Sequence, residues 1–376
     1  MRNGADRGTA WIDIDLKALR SNFRRAADSL PDDLPIIAVV KANAYGHGAI
    51  PISRTLVEEG ASILGVATVL EARELREAGI EGRILILGRM VAGQIPAALR
   101  WKAEITVHHR EMAELLSSAA VAKGVTVPVH VKVDTGMTRL GFDWLTAHEE
   151  IERVASLPGL DLKCVFTHFA NADFADREFT GIQIRRFEEL RAKLAGTKPG
   201  ICCHLANSAA ILTGQVPDGS GVRPGLMLYG SPPGDNIPLG GINPILTWKC
   251  RIVQVRDVPT GVGISYGHDF FTTRESRIAT AAVGYADGFM RVLTNKAQVL
   301  VRGKRAPVVG RVTMDMIMVD ITDIPEAVTG DEVVLIGRQG DETITAEEMA
   351  AWAGTISYEI YCGLSTRVPR FYSDGH

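Results

Sequence analysis

Residues 63–88 read ILGVATVLEARELREAGIEGRILILG, and this stretch decides the fold. Ile63 to Ala67 and Arg83 to Gly88 are short, almost continuous apolar runs. Such runs suit parallel strands buried on both faces. Thr68 to Ala78, between them, is amphipathic. Thr68 with Glu71 three residues on forms a capping-box signature, Leu75 repeats the apolar face, and Gly79 supplies a stop. Strand, helix and strand in this order make one βαβ unit. The same alternation recurs on both sides. Further strands are expected at Ile36–Val40, Glu104–His108, Val127–Val133, Lys163–His168, Ile201–Ala206 and Gly225–Gly230. Eight such strands within about 220 residues predict an α/β fold, a closed (β/α)8 TIM-type barrel, since ~250 residues is the usual size. An open doubly wound sheet is the alternative. It ranks second because no GxGxxG follows the first strand.

The pattern changes near Asp235. From Ile242 onward the strands lie close together: Trp248–Val255, Arg277–Tyr285, Gln298–Val301, Ile317–Ile321 and Glu332–Gly337. Only Thr345–Trp352 reads as helical there. The Gly/Pro-rich SPPGDNIPLGG, Ser231–Gly241, marks the boundary. The expected domains are a barrel over 11–241 and a β-rich C-terminal domain over 242–376, with the opening strand near 11–15 able to pack on the second domain.

Composition narrows the function classes. The 376 residues carry a net charge of −3, with 46% hydrophobic and 23% charged residues, as in ordinary globular proteins. No basic excess points to nucleic acid, and no apolar window points to a membrane. Five cysteines without a CxxC pair argue against a disulfide framework and a zinc ribbon, and no metal is expected. The first ten residues lack an apolar leader core. A cytoplasmic protein is the expectation.

Barrel enzymes place their chemistry just past the carboxyl ends of strands. Lys41 stands there after the first barrel strand, where desolvation favours the neutral, nucleophilic amine. Taken alone, it also reads as a strand-end lysine reaching into solvent. His168 follows the sixth strand. Asn207 or Ser208 caps a helix after the seventh, and capped helix starts can hold phosphate. Arg223 precedes Pro224-Gly225, where a backbone without Cβ lets an anion approach.

Several longer motifs accompany these residues: VVKANAYGHG, VKVDTGMTRLG, THFANAD, HLANSAA, VRPGLMLYG, GISYGHDF, VGYADG, GRVTMDM and RVPR. In this order, from about Trp11 to Tyr372, the set resembles bacterial alanine racemases. The resemblance implies pyridoxal 5′-phosphate as cofactor, joined to the chain through Lys41. It implies two bases on opposite faces of the substrate, Lys41 and Tyr266. A tyrosine ordinarily titrates near 10 and needs support to act as a base. The family's relay behind it matches His168 and Arg223, and Arg223 also faces the pyridine nitrogen. Cofactor contacts match Tyr45, His168, Asn207, Ser208, Arg223, the Gly225–Leu226 backbone and Tyr358. Arg139 matches a residue beside the substrate carboxylate, and Lys132 a lysine that is carbamylated in several members. Met314, Asp315 and Tyr285 match substrate contacts, and Thr313 stands where some members have cysteine. The resemblance further implies a homodimer with composite sites, Tyr266 coming from the partner subunit, and L/D-alanine interconversion serving either peptidoglycan supply or alanine catabolism.

Three rivals share the fold. A racemase for another amino acid fits the same motifs. A decarboxylase does not, because no cysteine-plus-aspartate motif is present and Arg223 stands where those enzymes use an acidic partner. A non-catalytic cofactor carrier is single-domain, unlike this chain.

Overall fold

The computed structural model describes residues 7–28, 30, 34–88, 90–234 and 237–374. Asp235, where the sequence pattern shifts, lies outside them. The chain divides into two compact units: Ala18–Ala44 with Ala49–Asn243, and Met1–Lys17 with Tyr45–Gly48 and Pro244–His376.

The first unit is the barrel. The strands of the chain begin with β1 (Ala10–Asp15), β2 (Ile37–Val39), β3 (Ile63–Val66), β4 (Ile84–Ile86), β5 (Glu104–Val107), β6 (Val127–Asp134), the two-residue β7 (Phe142–Asp143), β8 (Leu160–Phe166), β9 (Cys202–Asn207) and β10 (Gly221–Arg223). Eight of them pair in parallel in the order β10-β9-β8-β6-β5-β4-β3-β2. A parallel bridge between Ile36 and Val222 brings the two ends together. There the Val222 amide donates to the Pro35 carbonyl (3.0 Å) and the Val39 amide to the Pro224 carbonyl (2.9 Å). Strands that face helices outside and side chains inside must be apolar on both faces. Accordingly β2, β3, β4 and β5 are buried at every position.

The helix expected after Ile63–Ala67 runs Val69–Glu77, and its capping box is complete. The Glu71 amide donates to Thr68 Oγ1 (3.2 Å), and the Thr68 amide to Glu71 Oε2 (3.1 Å). Glu71 does more than cap. Its Oε1 also accepts from the Ala42 amide (2.9 Å), tying this helix to the segment after β2.

One expected strand is absent. Leu226–Tyr229, inside the apolar run GLMLYG, forms a buried 3-10 turn between Gly225 and Gly230, and Gly230 is left-handed (φ 80°). The eighth barrel strand is the three-residue β10 just before it. The Tyr229 hydroxyl donates to the Val39 carbonyl (2.8 Å), so the turn is fixed against the first barrel strand.

The second unit is strand-rich. β11 (Leu246–Val258) is its long central strand, followed by β12 (Gly263–Ile264), β13 (Phe270–Phe271), β14 (Ser276–Ala281), β15 (Gln298–Val301), β16 (Lys304–Pro307), β17 (Ile317–Asp320), β18 (Glu332–Gln339), β19 (Glu342–Ile344) and β20 (Arg370–Ser373). The N-terminal β1 belongs to this sheet. It pairs antiparallel with β11 (Ile12 opposite Trp248) and parallel with β20 (Ile12 opposite Arg370). A second helix, Ser357–Cys362, joins the expected one, which runs Ala346–Ala353. No helix among the described residues is long and apolar enough to cross a membrane.

Candidate active site

Lys41 follows β2 after one residue, Val40. The next four residues, Ala42 to Tyr45, all lie in the left-handed region, with φ between 51° and 54°. None is glycine, and each such residue costs roughly 1–2 kcal/mol. Non-glycine strain of this kind concentrates at functional sites. Fixed partners hold it: Glu71 takes the Ala42 amide, and Asn43 Oδ1 accepts from the Ala49 amide (2.7 Å).

The barrel unit gathers cations around Lys41. Lys132 lies near the end of β6, and its pKa is lowered to about 8, first by burial, then by Arg139, Arg223 and Lys41. Arg139 follows the turn Thr135–Thr138, where Asp134 Oδ1 accepts three successive amides, from Gly136, Met137 and Thr138. One carboxylate oxygen thus shapes the loop that carries Arg139. Lys132 and Arg223 lie 5.7 Å and 5.3 Å from the centroid of the same ring, Phe166.

Arg223 ends β10 and is buried. Its Nη1 donates to His204 Nδ1 (2.8 Å) and to the His204 carbonyl, and its Nη2 to the carbonyls of Thr167 (2.7 Å) and Leu205 (2.8 Å). His168 Nδ1 lies 3.3 Å from Nη2. All these partners are neutral, so burial pushes the guanidinium below its ordinary range. The Nε–H has no partner among the described residues. Asn207 caps the five-residue helix Ser208–Leu212 by accepting from the Ala210 amide (3.0 Å). A helix that short has little macrodipole, so local groups matter more here. Ser208 Oγ accepts from the Gly225 amide (2.8 Å) and lies 3.4 Å from the Met227 amide. Leu226 sits between those two.

The other expected residues fall in the strand-rich unit. Tyr45 and Tyr358 have ring centroids 5.8 Å apart, and burial, then Tyr358, raises the Tyr45 hydroxyl well above its ordinary range. Gly46 (φ 78°) leaves no room for a Cβ, which would lie 2.1 Å from the Tyr361 carbonyl oxygen. Tyr361 is buried beside His47, at 4.9 Å between centroids. Tyr266 is 71% exposed, on a turn where Ser265 and Gly267 have positive φ. Tyr285, Met314 and Asp315 come together. The Tyr285 amide donates to the Thr313 carbonyl and the Ala286 amide to the Met314 carbonyl, both at 3.0 Å. A Cβ at Gly284 would lie 2.4 Å from the Met314 carbonyl oxygen, so only glycine permits this approach.

Several residues packed around these candidates escape a reading of the sequence. Asp287 is buried, accepts from the Gly284 amide (2.9 Å) and pairs with Arg367 Nε (2.7 Å). Arg367 Nη2 also reaches Asp315 (2.7 Å), so it clamps the two loops. In the barrel, Glu104, His130 and His204 form a buried polar column ending on Arg223. Their signal in the sequence is a polar residue interrupting an apolar strand.

An acid-sensitive fold follows. Burial, acting first, keeps His130, His168 and His204 below their ordinary pKa and therefore neutral. The unfolded chain takes up these three protons near pH 6.5, whereas the folded chain does not. Their contribution is full above that pH and falls below it, with a limiting slope of about 1.4 kcal/mol per pH unit for each imidazole that stays neutral in the folded chain. The urea midpoint should drop steeply from pH 7 to 5. A midpoint that stays constant would contradict neutral imidazoles.

Residues 14–233 match the family profile of the alanine racemase N-terminal domain, and residues 245–372 that of the alanine racemase C-terminal domain. The chain belongs to the alanine racemase family. Among curated relatives, an alanine racemase of Halothermothrix orenii is 45% identical over 97% of each chain. One of Syntrophobacter fumaroxidans is 44% identical, covering 97% of this chain and 98% of its own. Among solved structures, an alanine racemase of Clostridium difficile superposes with a TM-score of 0.92 at 38% identity, covering 97% of this chain and 96% of its own. One from Bacillus anthracis, solved with bound L-Ala-P, gives 0.88 at 38% identity over 97% of this chain and 95% of its own. The alanine racemase architecture of nearly closed barrel plus strand-rich domain is therefore the architecture of this chain.

Proposed function

We propose that this enzyme interconverts L- and D-alanine with pyridoxal 5′-phosphate, using Lys41 as base on one face of the substrate and Tyr266 of a second copy on the other. The observation that carries the reading is Lys41 itself. It sits at the carboxyl end of a barrel strand, before a strained turn, among Lys132, Arg139 and Arg223.

The barrel residues fit the cofactor. Arg223 presents an unused Nε–H, a donor suited to an aromatic nitrogen acceptor. Arginine keeps its proton, so that nitrogen would stay unprotonated. Lys41 would hold the aldehyde carbon. Within the barrel unit, Asn207, Ser208 and the Gly225–Leu226 backbone would hold the phosphate. When bound, pyridoxal 5′-phosphate supplies the electron-withdrawing ring that acidifies the substrate Cα–H.

The chain's own residues then move the protons. Lys41 Nζ takes or returns a proton on one face, and the Tyr266 oxygen does so on the other. His168, neutral and hydrogen-bonded through Nδ1 to Arg223, has Nε2–H to offer the tyrosine oxygen. Arg139 of one copy, with the Met314 amide and Asp315 of the second, would orient the substrate carboxylate, and Arg367 holds Asp315 in place. Tyr285 would keep the pocket small enough to favour alanine. A second copy is the proposed source of Tyr266 because that side chain is exposed in the single chain, as are Tyr285, Met314 and Met316. This exposed set is an expected homodimer face.

The decisive assay adds L-alanine to full-length protein with pyridoxal 5′-phosphate in D2O. D-alanine should appear, with deuterium at Cα. Neither exchange nor D-alanine would end this reading.

Lys132 carbamylation is part of the same proposal. The neutral amine attacks CO2, a C–N bond forms, and one proton is released. With its pKa lowered to about 8, Lys132 offers far more neutral amine than an ordinary lysine at neutral pH. The product is an anion beside Arg139, turning repulsion into attraction. Protein in 13C-bicarbonate should show a carbamate carbon resonance that is absent from Lys132→Arg and grows from pH 7 to 9. High-resolution density for a bare amine would refute it.

A further inference from the structure

The barrel interior holds an unbroken column of polar side chains. Arg83 Nε and Nη2 contact the two oxygens of Glu104 at 2.5 Å and 3.0 Å. Glu104 Oε2 lies 2.8 Å from His130 Nε2. His130 Nδ1 lies 2.9 Å from His204 Nε2, and His204 Nδ1 lies 2.8 Å from Arg223 Nη1. Glu104 opens β5, His130 and His204 lie inside β6 and β9, and Arg223 closes β10. The column therefore runs from the entry end of the strands to their carboxyl end. Both imidazoles are fully buried, and Glu104 and Arg223 are 5% and 4% exposed.

The two ends are chemically one-sided. Arginine only donates, and an ionised carboxylate only accepts. Glu104 is ionised: burial opposes its charge, but hydrogen bonds from His130 and Arg83 outweigh that and hold the carboxyl below its ordinary range. His130 Nε2 must then carry a hydrogen for Glu104. At the other end, His204 Nδ1 must be bare to accept from Arg223. A neutral His204 consequently carries its hydrogen on Nε2 and donates it to the bare Nδ1 of His130. Every bond in the column is satisfied in this single arrangement. Reversing both tautomers would set a His204 N–H against the Arg223 N–H and leave Glu104 facing a bare nitrogen.

We propose that Glu104, His130 and His204 are positioning residues, a hydrogen-bond column whose ends dictate both imidazole tautomers and so lock the orientation of Arg223. The proposal rests on the reading that Arg223 serves the reacting site. Phe166 braces the column from the side, stacked on His204 at 4.5 Å between centroids with 24° between planes. Cys164 lies in the same group, with its sulfur and one nitrogen of each histidine within 4.8 Å of one another. His130 Nδ1 and His204 Nε2 already face each other, which favours a hydrogen-bond column over a metal site.

Neutron diffraction from deuterated crystals of the full chain tests the tautomers without any assay of activity. Deuterium on Nε2 of both His130 and His204 is expected. Deuterium on Nδ1 of either, or on both nitrogens of either, overturns the proposal. Variants test the positioning role. Glu104→Ala removes the acceptor that fixes His130, so kcat should fall at least ~10-fold, the scale on which outer partners of a site act, with KM for alanine nearly unchanged. Glu104→Gln restores an acceptor oxygen and should recover most of the loss. Equal losses in both variants, or none in either, would remove the positioning role even in an active racemase. Complete inactivity of the unmodified chain would instead refute the proposed function, and the neutron map would still decide the tautomers.

Discussion

Lys41→Ala should lose racemisation in both directions, by roughly 10⁴-fold. Two roles disappear together. In the proposed mechanism the amine is both the covalent anchor for the cofactor and the base on one face of the substrate. No neighbour replaces it, because Lys132 is buried beside Arg139 and Arg223, and Arg139 cannot deprotonate. The barrel should stay folded, since Lys41 lies beyond β2 and the closing bonds of the barrel run through Pro35, Val39, Val222 and Pro224. A small primary amine such as methylamine should restore part of the rate, since it can stand in as a proton acceptor. Near-normal turnover by Lys41→Ala would show that another residue carries the chemistry.

Tyr266→Phe should produce a different, asymmetric loss. Racemisation should fall about 10³-fold, within the range for a lost acid–base group. Lys41 would still work on its own face. In D2O one alanine enantiomer should keep exchanging its α-proton, while exchange of the other falls with racemisation. Equal retention for both enantiomers would mean that one base serves both faces. Stability should hardly change, because the Tyr266 side chain is 71% exposed in the single chain.

The repeating strand–helix rhythm was readable because each unit is local. Thr68 and Glu71 announce their helix within four residues, and the capping box is there. GLMLYG misleads for an equally physical reason. It is apolar and strand-like by composition, yet it is buried as a 3-10 turn, while the true eighth strand is the three-residue GVR. That strand is defined by its neighbours: β9 on one side and Ile36 on the other. No local pattern reports such pairing. KANAY likewise carries no local sign of its left-handed turn, which contacts through Glu71 and Asn43 hold.

The candidate site is legible where motifs are contiguous. Lys41, Arg223, Ser208 and the Tyr285–Met314 region each sit in a recognisable stretch. The column behind Arg223 is not. Its members are separated by 26, 74 and 19 residues along the chain, and only barrel register stacks them. Asp287 similarly reads as a turn residue until Arg367, 80 positions away, is seen to pair with it.

The central claim is a site built from two copies, Lys41 from one and Tyr266 from the other. Mixing inactive Lys41→Ala and Tyr266→Phe proteins, dissociating them and allowing reassembly tests it most directly. Half of the random dimers would be mixed, and each would hold one intact site. Activity should therefore return to about a quarter of the unmodified level. Activity that stays at the level of the separate variants, with mixed dimers demonstrated in solution, would place both bases on one chain and contradict the account.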